Sequence, residues 1–240
     1  DLALASILAD SVKNNLIEGT CEWIHGWICF DNGNLQRSRE HFRTWYQLVH
    51  DYHPPFEPFY RISLLYSITM LDIQSNVLDS AIHRCNEIDS LLAHVLPFNR
   101  NWLPKTQSQV LQCELALIQN QIDKAIERAQ TIDFTGIPYM HTKALIPYNT
   151  PHRRDILARI YEKQGTIEKA IEAYENIISP RGSDKFRGFI QPIFHFKLAQ
   201  LYDQVGKKSL ANGQYQKFIN ICAESELFER QIKISREKLH

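Results

Sequence analysis

The sequence predicts an all-α chain, a solenoid of about five stacked helix pairs, and three observations carry that prediction. A pattern of small, aromatic and turn residues recurs at fixed offsets along the chain. Glycine is scarce, with 9 in 240 residues, which disfavours a turn-rich β protein and suits long helices. All 10 prolines fall in four stretches between the recurring units, where a missing N–H does no harm.

The clearest unit runs from 155 to 180 as DILARIYEKQGTIEKAIEAYENIISP. Ala158 is followed at three residues by Tyr161, then by Gly165, Ala170 and Tyr174. A second copy in 196–221 repeats every offset through Ala199, Tyr202, Gly206, Ala211 and Tyr215, and Leu198 precedes Ala199 as Leu157 precedes Ala158. Each position has a physical reason. The first alanine is small so that a second helix crosses close by. The tyrosine three residues on shares its face. The glycine supplies the left-handed residue that ends the first helix. The second alanine and its tyrosine four residues later form the stripe of the returning helix.

Weaker copies extend upstream. Gly26, Cys29, Gly33, Ser38 and Phe42 fall at the same offsets, as do Thr69, Asp72, Asn76, Ala81 and Cys85, with Asp72 an odd fit at an aromatic position. Cys113, Ala116, Asn120, Ala125 and Ala129 complete the set. The second-helix anchors at 38, 81, 125, 170 and 211 are spaced by 43, 44, 45 and 41 residues.

This small–aromatic–Gly–Ala–aromatic pattern resembles the tetratricopeptide repeat family. The last two units also resemble repeat tails of multidomain bacterial regulatory proteins, where such repeats follow a kinase or DNA-binding domain. The resemblance implies a right-handed α-solenoid of helix-turn-helix repeats over 19–50, 59–94, 106–133, 151–180 and 192–222, with capping helices at 2–16 and 223–240. The spacing exceeds the family's usual value of about 34 residues and overlaps that of HEAT and armadillo repeats. The constant Gly-turn-Ala spacing inside each copy favours the tetratricopeptide reading, with the excess placed in 50–58, 97–104, 135–151 and 179–192. The terminal segment, with Leu227, Phe228, Ile232 and Leu239 at helical spacing, reads as a cap over the last apolar face.

Composition narrows the function. Lys+Arg and Asp+Glu both number 27, so no net charge drives binding to nucleic acid or anionic lipid. No hydrophobic run is long enough for a membrane span or a signal peptide. Five cysteines with no CxxC read as reduced thiols in the cytoplasm. The chain begins at Asp1 rather than Met, the expectation being a piece of a longer protein.

Candidate chemistry is sparse. Cys21, His25 and Cys29 stand at i, i+4 and i+8 on one helical face, with ligand types that suit zinc. A straight helix spreads them over two turns, so they read as packing residues before they read as a metal site. No nucleophile–His order, HExxH, GxGxxG or P-loop string occurs, and His50, His53, His141 and His152 lie in or beside Pro-rich loops without partners. Glu162 and Glu168 read as surface charges pairing with Lys163 or Lys169. The expectation is no enzyme, no cofactor and no metal.

In tetratricopeptide arrays the first helix of each pair lines a concave groove. The resemblance places Trp23, Trp27 and Phe30 there, then Tyr66 and Met70, and then Val110, Glu114 and Leu117. Asp155, Arg159 and Lys163 follow, and Phe196, Gln200 and Asp203 close the series. Such a groove changes from aromatic to polar along its length and suits a protein or peptide partner. Alternatively, residues 2–16 fold back over Trp23 and Trp27. The Lys/Asn pattern that co-chaperone repeats use to grip a C-terminal carboxylate is missing, since Asp155, Arg159, Phe196 and Lys197 stand at those positions. The expected function is a protein-binding scaffold within a larger regulatory protein. A small-molecule-sensing effector domain, with the ligand in the Trp-rich first half, is the alternative.

Overall fold

Local turn chemistry sets the architecture. The computed structural model describes residues 14–51, 57–93, 102–132, 155–179, 191–223, 225 and 228–239. Among these, every residue of positive φ sits in a turn between two helices: Gly33, Asn76, Asn120, Gly165 and Gly206. These are the five turn positions of the repeat. Glycine adopts the left-handed region without steric cost, and asparagine is one of the few side chains that visits it routinely.

Four of the turns close with one pair of bonds. The amide of Gly165 donates to the Glu162 carbonyl and that of Thr166 to Tyr161, both at 3.0 Å. The same pair recurs from Gly33 and Asn34, from Asn76 and Val77, and from Gly206 and Lys207. This is the Schellman closure, which satisfies carbonyls that a helix end leaves bare.

The described residues contain eleven helices and no strand, so the all-α class holds. Helices α1 (Asn15–Asp31), α2 (Leu35–Val49), α3 (Glu57–Gln74), α4 (Leu78–Leu92) and α5 (Trp102–Ile118) belong to one unit, within Asp1–Gln119. Helices α6 (Ile122–Gln130), α7 (Ile156–Gln164), α8 (Ile167–Ile178), α9 (Ile193–Gln204), α10 (Lys208–Cys222) and α11 (Glu229–Leu239) belong to a second, drawn from Asn120–Gln130 and Tyr148–His240. The expected N-terminal cap at 2–16 lies outside the described residues except at its end, where Asn14 caps α1 by accepting from the Leu16 and Ile17 amides. Its side-chain oxygen thereby satisfies two donors that the first turn leaves without partners.

In the first unit α1 packs on α2, α2 and α4 on α3, and α5 on both α3 and α4. Its core is aromatic. Trp23, Trp27, Phe42 and Trp45 interlock with ring centroids 4.4–5.7 Å apart, and Tyr66 joins at 5.9 Å from Trp27. In the second unit each helix from α6 to α11 packs on the next. Ala158, Ala170, Tyr174, Leu198, Ala199, Tyr215 and Phe218 form its core, and Ile232 of α11 and Phe228 just before it pack onto that core. Each large apolar side chain so buried contributes about 1.5–3 kcal/mol.

Positions at matching offsets are buried alike. The small positions Gly26, Thr69, Cys113, Ala158 and Ala199 are all buried, as are the anchors Ser38, Ala81, Ala125, Ala170 and Ala211. Proline placement departs from expectation. Pro58 and Pro104 lie in the first turns of α3 and α5, and Pro192 caps α9. A first-turn N–H has no intrahelical acceptor, so proline costs nothing there.

Candidate functional site

The predicted groove residues divide by unit. In the first unit Trp23, Trp27, Phe30, Tyr66 and Met70 are each at most 3% exposed. Val110, Glu114 and Leu117 are buried as well. These side chains are core, which corrects the expectation that an aromatic face stands open on this half. The reason is bulk. Gly19 and Gly26 leave room for α2 to approach α1, and the rings of Phe42 and Trp45 close over the tryptophans. Among the described residues the indole Nε1 of Trp23 is left over, buried without a hydrogen-bond partner.

In the second unit the predicted residues meet around Asp155. Its side chain is only 3% exposed, and a buried carboxylate persists only when paired and hydrogen-bonded. Arg159 Nε donates to it at 3.1 Å from one turn along α7. Lys197 Nζ pairs with it from α9, and the Tyr174 hydroxyl donates to it at 3.2 Å from α8. Asp155 thus ties three helices together. It also stands at the N-terminus of α7, where negative charge meets the positive end of the helix dipole.

Glu162 stands beside the same cluster, within electrostatic reach of Lys197, Asp155 and Arg159. Burial lifts its carboxyl above the usual range against the opposing pull of Lys197. Burial, and then Asp155 and Glu162, likewise push the Tyr174 phenol up. Glu162 is therefore half-buried beside the Asp155 cluster rather than a fully exposed surface charge. Lys169 lies 5.7 Å from the centre of the Tyr161 ring. Of the predicted groove set, Lys163 and Gln200 are exposed, Arg159 is partly exposed, and Phe196 is buried against Tyr215 and Phe218. The surface here is polar and carries Arg159, Lys163, Lys197 and Gln200 over a buried acidic centre.

Asp72, the misfit of the repeat pattern, has the same explanation in the first unit. Its carboxylate on α3 is 5% exposed and takes Arg39 of α2 at 3.0 Å and Arg84 of α4. Where the last two copies carry Tyr161 and Tyr202, this one carries a doubly paired charge.

The Cys21, His25 and Cys29 face does not converge. Cys21 is buried, while His25 and Cys29 are half-buried. The side chains that do come together there are Glu22, His25 and His41, each offering one ligand atom within 4.8 Å of the others. Burial, and then His41, push the His25 imidazole below its ordinary range, which favours the neutral ring. Burial raises the Cys29 thiol.

Sequence reading missed Lys197 and His41 as site residues. A signal for His41 was present, since His25 and His41 each stand one residue before the register positions Gly26 and Phe42. Residues next to two contacting positions are themselves brought close.

Among the described residues no helix is long and apolar enough to cross a membrane. No protein-family model matches the chain, and no curated protein matches it.

Proposed function

We propose that the chain is a right-handed tetratricopeptide-like solenoid whose work is to hold a protein or peptide partner, as part of a larger cytoplasmic regulatory protein. The observation that supports this most is the recurrence itself. Five left-handed turns and five pairs of buried anchors repeat at the same offsets, while no set of chemically active side chains repeats with them. Repetition of a packing unit builds surface, and extended surface is what such proteins use to bind.

The polar face of α7 and α9 supports placing the contact in the second unit. Lys163 and Gln200 are exposed there, and Arg159 is held by Asp155 in one orientation. An ordered guanidinium loses less entropy on meeting a partner's carboxylate than a mobile one does. No two of the five cysteines are joined in a disulfide, which supports a reducing compartment.

The test is capture from native lysate by the intact chain and by a Lys163→Glu/Gln200→Glu variant with matched melting. Partners retained by the first and lost by the second uphold the reading. The same partners in both move the contact off this face.

One observation favours the small-molecule alternative: the unpartnered Trp23 Nε1 inside the aromatic core. A buried donor without an acceptor costs about 1–3 kcal/mol, and a ligand acceptor would recover it. A metabolite that raises the melting temperature and shifts tryptophan emission would establish that role. A screen in which no compound does both would remove it.

A further inference from the structure

The α1–α2 hairpin is built around a close contact. A Cβ added at Gly26 would lie 2.5 Å from the Phe42 ring, so only glycine admits this approach. The Ser38 hydroxyl donates to the Gly26 carbonyl at 2.8 Å and fixes the register of the two helices. One residue before each contact position, His25 and His41 face one another with ring centroids 5.4 Å apart. Glu22, three residues before His25 and on the same helical face, places Oε2 2.8 Å from Nδ1 of His41.

We propose that Glu22, His25 and His41 form a binding site for one divalent transition-metal ion of the zinc class, which clamps α1 to α2. Two imidazoles and a carboxylate are a zinc ligand set, with water supplying the fourth position. The same donors disfavour magnesium and calcium, which prefer oxygen alone. Zinc–ligand bonds of about 2.0–2.2 Å in a tetrahedron put ligand atoms roughly 3.4 Å apart. Small side-chain rotations bring atoms now within 4.8 Å of one another to that spacing. The His41–Glu22 hydrogen bond gives way to two metal bonds, with the ion taking the place of the shared proton. All three residues are half-buried, so an ion enters from solvent while two packed helices hold the ligands.

The experiment is calorimetric titration of the tag-free, chelator-stripped chain with zinc chloride and separately with magnesium chloride, with melting curves at each end point. Expected results are one zinc per chain, no magnesium binding, and a higher melting temperature with zinc. His25→Ala and His41→Ala weaken binding by at least about tenfold, Glu22→Gln weakens it, and Cys29→Ser leaves it unchanged. Absence of zinc binding by the folded chain overturns the proposal, and so does unchanged binding in a folded His41→Ala variant. Loss of binding in Cys29→Ser overturns it too, because the ion would then sit on the cysteine face of α1. Should His41→Ala fail to fold, the cobalt-substituted wild-type chain decides. An absorption spectrum without sulfur-to-cobalt charge transfer supports the nitrogen and oxygen ligands, and a charge-transfer band refutes them.

Discussion

Replacing Gly26 with alanine is the sharpest probe of the first unit. A Cβ there would stand 2.5, 2.6 and 3.0 Å from three atoms of the Phe42 ring, closer than real Cβ contacts allow. The ring cannot retreat, because it is fully buried with Trp27 and Trp23 at 4.8 and 5.4 Å. Overpacking of this kind costs about 1–3 kcal/mol. Alanine in place of a helical glycine returns about 1 kcal/mol. With backbone helix and ring both held, the cost falls near the top of its range, for a net loss of about 1–2 kcal/mol.

Gly213 is the internal control. It lies in α10 with nothing within 4 Å of an added Cβ, so Gly213→Ala gains about 0.5–1 kcal/mol. Urea unfolding followed by tryptophan emission reads the first variant, since all four tryptophans lie at or before residue 102. Far-UV circular dichroism reads the second. Equal stabilisation by both substitutions would refute the close α1–α2 contact.

Three further outcomes follow from the polar and thiol groups. Asp72→Asn removes the charge that Arg39 and Arg84 share and destabilises by roughly 2 kcal/mol, below the full cost of breaking a buried pair because both guanidinia are about a quarter exposed. Wild-type stability in a urea series would contradict it. The raised carboxyl of Glu162 makes the native state bind more protons than the unfolded chain above about pH 4.3. Its contribution is therefore lost as pH rises from there through the folded value. Glu162→Gln removes that decline, so the stability difference between wild type and variant changes across this window, and a flat difference refutes the buried environment. Cys29 reacts first with a thiol reagent, because Cys21, Cys85, Cys113 and Cys222 are buried and burial lifts the Cys85 thiol to about 12. Simultaneous modification of all five in the native protein would contradict the packing.

The sequence revealed the hairpins better than it revealed their surfaces. Small residues and left-handed turns leave a fixed mark, because only a few residue types fit a helix crossing or a positive φ. Asn76 and Asn120 were placed at turn positions by offset alone, and both have positive φ. Which face of a first helix stays open has no such mark. Trp23 and Trp27 look the same in a groove and in a core, and only the position of Phe42 and Trp45 decides between them. Glu162 was misjudged, and Asp72 stood as a misfit, for a related reason. A charge reads as exposed until its partners are known: Arg39 and Arg84 stand 33 and 12 residues from Asp72, and Lys197 stands 42 from Asp155.

The central structural claim is that one hairpin unit recurs through the chain in a single register. Backbone chemical shifts of Gly33, Asn76, Asn120, Gly165 and Gly206 in a deuterated sample test it most directly, because they report φ and ψ residue by residue. Left-handed values at all five positions, flanked on both sides by right-handed helix, are the expected result. Right-handed helical shifts running unbroken through Asn76 or Asn120 would contradict the repeat and with it the reading of the chain as a scaffold.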